Sequence, residues 1–229
     1  MIGLARERPD LGCLQRAILI RSVYIVDDDF DVRTSISFML ASEELNPVPL
    51  SGGEELLERL ADLEPGCILL DVRMPTMDGF AVMAQLKELG NNWPIVVMTG
   101  HGDVPVAVRA MKHGAIDFIE KPFGDDVLIN CLKRGFQILE TEAARTLRVS
   151  SARTRIGQLS NREREVLQGL LAGLPNKRLA QTMGISLRTV EMHRANMMNR
   201  LDVNTLAEAL TLAVQADLQP VGAESAKRR

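Results

Sequence analysis

Long apolar runs, cysteine and histidine are all scarce in this 229-residue chain, and each scarcity removes a class of function. The apolar patch Ala17 to Ile20 is stopped by Arg21, far short of the roughly 20 residues that a membrane-spanning helix needs. The first residues also lack an apolar core of signal length and a small-residue cleavage site. Neither a signal peptide nor a membrane span is therefore expected, and the expected location is the cytoplasm, with no membrane partner. Cys13, Cys67 and Cys131 have no metal-like spacing and cannot all pair, so they read as reduced cytosolic thiols. His193 has no companion ligands for a metal, and His101 reads as an exposed loop residue. No internal repeat and no long low-complexity segment is present.

What the chain does have is two halves of opposite charge. Ser22 to Glu140 carries 20 acidic and 9 basic residues, whereas Ser151 to Asp217 carries 9 basic and 6 acidic, a contrast concealed by the overall net charge of −3. The length suits two ordinary domains. The acidic half suits a metal pocket and argues against direct contact with a phosphate backbone.

Within the acidic half, four polar runs each follow a short apolar run rich in Val and Ile. Asp27-Asp28-Asp29 follows Val23 to Val26, and Asp71-Val72-Arg73-Met74-Pro75 follows Cys67 to Leu70. Thr99-Gly100-His101-Gly102 follows Pro94 to Met98, and Lys121-Pro122-Phe123 follows Ala115 to Ile119. The apolar runs read as buried strands of a parallel sheet, which places every polar run at its carboxyl edge, where open α/β folds build their sites. Asn46 to Leu50, with two prolines in five residues, reads as an edge strand. Helical patterns are expected at Asp31 to Glu43, Glu54 to Leu63, Gly79 to Leu89, Val104 to His113 and Asp125 to Glu140.

Carboxylates crowded together call for a cation, and Mg²⁺ is the fitting one: it takes one or two carboxylates, keeps several waters and accepts phosphate oxygens. A phosphoryl group is then the natural guest, with Thr99 bonding one of its oxygens, Lys121 neutralising another, and Asp71 as the nucleophile that forms an acyl phosphate. A side chain at Gly100 is expected to crowd that pocket. Asp29 need not touch the metal.

In these motifs residues 22 to 140 resemble the receiver domain of bacterial two-component response regulators, and the strings Thr99 to Asp103 and Phe118 to Phe123 resemble its FixJ type. The resemblance implies a doubly wound, flavodoxin-like α/β fold with strand order 2-1-3-4-5. It implies Asp71 as phosphoacceptor, Thr99, Lys121 and Phe118 as switch residues, and a Mg²⁺ pocket of Asp27, Asp28, Asp71 and the Arg73 backbone carbonyl. It further implies a cis Lys121-Pro122 bond and a sensor histidine kinase as phosphodonor.

The last receiver helix is expected to run past Glu140 into a helical linker, 141 to 157, with Ser150-Ser151 and Gly157 interrupting it. Residues 1 to 21 are an extension without a recognised pattern, and 219 to 229 are expected to be a disordered tail. From 158 to 218 the chain reads as a small all-α domain of four helices. Ser160 caps the first, which ends at Gly173; Asn176 opens the second; Gly184 makes a turn; Ser186 caps the third; Thr205 starts the fourth. Asn176 to Gly184 followed by Leu187 to Leu201 has the pattern of a helix-turn-helix. Leu179, Ala180, Met183, Ile185, Val190 and Met197 form the expected core, leaving Lys177, Arg188, Thr189, Glu191, Met192, His193 and Arg194 for the outer, DNA-facing side. Leu159 to Leu167, Gly173 to Lys177 and Arg188 to Arg194 resemble the LuxR/FixJ-type DNA-binding domain. That resemblance implies double-stranded DNA with a two-fold operator, a homodimer formed on phosphorylation, and RNA polymerase as a further partner. A rival class, a phosphate sink or protein adaptor, leaves the helix-turn-helix without a purpose. An enzyme proper lacks residues beyond self-phosphorylation and self-hydrolysis of its own aspartate.

Overall fold

In a computed structural model of the protein, residues 21–100 and 104–221 are described. The chain divides between Ala143 and Ala144 into two compact units. The first alternates strand and helix: β1 (Ser22–Val26), α1 (Phe30–Ser42), β2 (Asn46–Leu50), α2 (Gly53–Arg59), β3 (Cys67–Asp71), α3 (Gly79–Glu88), β4 (Ile95–Thr99), α4 (Val104–His113) and β5 (Asp117–Glu120). The helix α5 (Asp125–Gly157) contains the division between the units.

The five strands are all parallel, in the order β2-β1-β3-β4-β5. β1, β3 and β4 are buried along their whole length because helices cover both faces of the sheet. Alternate residues feed opposite cores: Tyr24 and Val26 join Ile68, Leu70 and Val97 on one side, while Val23 and Ile25 join Leu69, Val96 and Met98 on the other. β2 is at an edge, as its prolines require. Asn46 and Asp27 donate across the β1–β2 boundary, to Arg21 and Leu50, while Pro47 and Pro49 put their missing N–H groups on the outer side.

Three features differ from the sequence reading by more than one residue. α2 ends at Arg59 rather than Leu63, ahead of Pro65. β5 starts at Asp117 rather than Ala115, whose N–H is taken by Ala110 at the end of α4. Ser150-Ser151 does not interrupt α5, which continues to Gly157. Serine costs only a few tenths of a kcal/mol in a helix interior, and the neighbouring Ala152 and Ile156 are buried.

The second unit adds α6 (Asn161–Leu171), α7 (Asn176–Met183), α8 (Leu187–Arg200) and α9 (Leu206–Gln215) around a core of Leu159, Val166, Leu167, Leu179, Val190, Met197 and Leu201. Ser160 and Glu163 form a reciprocal capping box on α6. Gly184 ends α7 at φ 67°, the left-handed conformation that glycine adopts without penalty, and so makes the turn into α8. Val221 and Gln219 are held on Gln168, so the chain stays ordered past residue 219; residues 222–229 lie outside the described part, as do 1–20.

Candidate functional site

The carboxyl edge of the sheet gathers the residues that the sequence spreads over about a hundred positions. Asp27 follows β1, Asp71 ends β3, Thr99 ends β4 and Lys121 follows β5. Parallel pairing aligns these ends: Val26 is level with Leu70, Asp71 with Met98, and Thr99 with Glu120.

Asp27 and Asp71 are 1% and 6% exposed, and Lys121 is the cation between them. Its Nζ donates to Asp27 Oδ2 at 2.5 Å and to Asp71 Oδ1 at 2.7 Å. Asp71 Oδ2 accepts from the Arg73 backbone N–H at 2.6 Å, and Asp27 Oδ1 accepts from the Asp29 N–H at 3.0 Å. Arg33 reaches back from α1 to the Asp27 carbonyl at 2.6 Å and steadies the acidic loop. Burial pushes the Asp71 carboxyl above the usual carboxylate range, against the lowering effect of Lys121 and Arg73. Burial acts to lower Lys121, but the hydrogen bonds and charges of the two carboxylates more than offset it, so the ammonium is held above its ordinary value. Lys121-Pro122 is cis.

The other expected site residues divide. Thr99 is buried at the end of β4, and Phe118 is half-buried against the core. Asp28 is exposed and lines a cavity of about 310 Å³ with Ser51, Glu54, Glu55 and Glu58. Asp29 caps α1, accepting from the Asp31 and Val32 N–H groups. His101 lies outside the described residues. A Cβ on Gly100 meets no described atom within 4 Å. At the end of β3 the glycine pressed against backbone is Gly79: a Cβ there would lie 2.5 Å from the Asp71 carbonyl oxygen and 3.1 Å from Val72 Cα. Its signal in the sequence was Asp78-Gly79, a helix cap followed by the residue able to pass against the end of β3.

On the second unit, Lys177, Arg188, Glu191 and Met192 are exposed, as expected of a DNA-facing side. Thr189 is half-buried at the start of α8, its N–H donating to the capping Ser186 Oγ at 3.1 Å. Arg194 is half-buried and donates to Asn176 Oδ1 at 3.5 Å, tying α8 to α7; His193 is also half-buried. The buried Glu163, 3% exposed, accepts from the Ser160 N–H and pairs with Arg200 at 3.5 Å. Arg155 donates to the Leu201 and Asp202 carbonyls just past the end of α8.

Residues 23–133 match the family described as response regulator receiver domain, and residues 157–213 match bacterial regulatory proteins of the luxR family. The transcriptional regulatory protein FixJ of Bradyrhizobium diazoefficiens is 41% identical over 196 residues, which cover 86% of this chain and 96% of that one. The chain belongs to the FixJ family of response regulators. It is thus a DNA-binding response regulator of a two-component system, a transcription regulator rather than an enzyme in the ordinary sense. Among solved structures, the response regulator StyR superposes with a TM-score of 0.74 at 35% identity, covering 86% of this chain and 99% of its own. Full-length FixJ from B. japonicum superposes with a TM-score of 0.54 at 40% identity, covering 86% and 98%.

Receiver domains of this kind bind Mg²⁺, and the residues here fit such an ion. Two buried carboxylates converge on one ammonium, and the surrounding donors are hard oxygens. Among the described residues no group of three His, Cys, Asp or Glu side chains is placed to hold a metal. A site of two carboxylates completed by a backbone carbonyl and water is what Mg²⁺ tolerates and tighter-bound metals do not need. No helix among the described residues is long and apolar enough to cross a membrane.

Proposed function

We propose that Asp71 is the phosphoacceptor and that Lys121 and Thr99 are the groups that sense its phosphorylation. The observation that carries this reading is the ammonium of Lys121 held between Asp27 and Asp71 at the sheet edge. An oxygen of Asp71 attacks the phosphorus of a phosphohistidine on the sensor kinase; the P–N bond breaks and the imidazole leaves, giving an acyl phosphate on Asp71. Lys121 then shifts a hydrogen bond from the Asp71 carboxylate to a phosphoryl oxygen, and the Thr99 hydroxyl takes another. Asp27, Asp71 and the Arg73 carbonyl, with Asp28 adjacent, would hold Mg²⁺, which supplies charge neutralisation for the three phosphoryl oxygens.

Phe118, half-buried beside β4, turns inward as Thr99 is drawn to the phosphate, and the face from α4 to β5 is remodelled. That change favours a receiver dimer, which presents two recognition helices to a two-fold operator and acts on transcription with RNA polymerase as partner. Lys177, Arg188, Glu191 and Met192 face the DNA, and His193 and Arg194 flank them. The protein also hydrolyses its own acyl phosphate and accepts phosphate from small donors. The cytoplasm is its place of action.

Light scattering with and without acetyl phosphate and Mg²⁺, with phosphate on the protein followed in parallel, tests the reading. Wild type gains phosphate and shifts from monomer to dimer, and Asp71→Asn does neither. Equal phosphorylation or equal dimerisation of the two proteins sinks it.

A further inference from the structure

Four exposed side chains lie along one stripe of α8. Arg188, Glu191, Met192 and Ala195 stand at i, i+3, i+4 and i+7, the spacing that places residues above one another on a helix. Elsewhere on α8, the Thr189 hydroxyl is bonded to that of the capping Ser186, Arg194 donates to Asn176, and Val190 and Met197 lie in the core. Arg188 and Glu191 pair with no other described residue, and Met192 is 50% exposed. Seven residues of helix advance about 10 Å, the length of about three base-pair steps.

The chemistry of the stripe is unusual for a surface that meets phosphate. A carboxylate is repelled by the backbone, so Glu191 is tolerated there only if it meets a hydrogen-bond donor, and the amino group of cytosine is the donor that the major groove offers to Glu. Met192 and Ala195 offer no hydrogen bond at all. The apolar group exposed in the major groove is the thymine methyl, and a flexible, polarizable thioether is suited to cover it. Arg188, at the start of the stripe, matches the paired acceptors of guanine.

We infer that this stripe sets the operator sequence, with Met192 and Ala195 selecting a thymine through its 5-methyl group and Glu191 selecting a neighbouring cytosine. The inference rests on the proposed entry of α8 into the major groove and adds the base each residue reads.

The test uses the full chain, phosphorylated with acetyl phosphate and Mg²⁺, to select duplexes from a randomised DNA library. The selected duplex is then remade with uracil in place of each thymine. Wild type is expected to lose about fourfold in affinity at one uracil position per half-site, the effect of one buried methyl group. Met192→Ala, which leaves only Ala195 against the methyl, shows a clearly smaller uracil penalty than wild type. Glu191→Ala loses about tenfold discrimination at one C·G pair while keeping or gaining affinity for unselected DNA, because a repulsive charge has gone. The assignment is overturned if Met192→Ala keeps the wild-type uracil penalty, or if Glu191→Ala keeps the cytosine preference. If wild type selects no sequence from the library, the DNA-reading role of α8 itself fails, a result distinct from selection of a motif that neither variant alters.

Discussion

Lys121 joins Asp27 to Asp71, residues 94 and 50 positions away in the chain, through hydrogen bonds of 2.5 and 2.7 Å. The side chains of the two carboxylates are 2% and 9% exposed, so solvent does little to separate their charges. One ammonium therefore balances two acids that would otherwise repel each other, and it lies where a phosphoryl group on Asp71 would have its oxygens.

Replacing that ammonium is the most direct probe of the balance. Lys121→Ala is expected to cost about 3 kcal/mol of stability at neutral pH in the absence of divalent metal, the usual result of removing one partner from a buried ion pair. Added Mg²⁺ should recover part of the loss by supplying a substitute cation. Urea denaturation with EDTA and with Mg²⁺ measures both; a variant as stable as wild type in EDTA would show that the pair contributes nothing to the fold.

The raised Asp71 pKa gives a signed pH dependence. A carboxyl whose folded pKa lies above its unfolded value binds more protons in the folded state, so its ionisation destabilises the fold as pH rises through that interval. Without metal, Asp71→Asn should be more stable than wild type at neutral pH, and the advantage should shrink as pH falls through the raised Asp71 pKa toward the ordinary carboxylate range. Melting curves of the two proteins across that range decide it. A constant difference at all pH values would contradict the shift.

Gly79→Ala and Gly100→Ala should differ sharply. At Gly79 the new methyl meets backbone atoms of Asp71 and Val72 that cannot move aside, so a loss of about 1–3 kcal/mol and slower phosphorylation are expected. At Gly100 nothing lies within 4 Å, and the fold should tolerate alanine. Denaturant midpoints and acetyl phosphate labelling rates report on both. Equal destabilisation by the two changes would refute the contact.

Mg²⁺ should stabilise the folded chain by mass action. At a concentration ten times its dissociation constant the gain is about 1.4 kcal/mol. Asp27→Asn should lose most of this increment while keeping its fold. Calorimetric titration and thermal melting in the same buffers provide the check; an undiminished increment in Asp27→Asn would remove Asp27 from the metal site.

Much of this molecule was legible in its residues. Val23 to Val26 and Cys67 to Leu70 are apolar without a break, the pattern of strands covered on both faces, and each stops at an aspartate. Pro47 and Pro49 could belong only to an edge strand, and Ser160, Gly184 and Ser186 marked helix ends through local hydrogen bonding and backbone geometry. These features depend on neighbours within a few positions.

The sequence by itself thus determined which residues end each strand, which face of each helix is apolar, and where the two units divide in character. Tertiary structure alone decided that Asp28 joins Ser51 and the α2 acids in lining one cavity, that Gly79 is pressed against the backbone of Asp71 and Val72, and that Arg194 is held by Asn176 while Arg188 and Glu191 pair with no described residue. The physical reason is range. Capping and periodicity are settled within a turn or two of chain, whereas a close contact or an ion pair depends on the approach of elements whose separation no local pattern encodes.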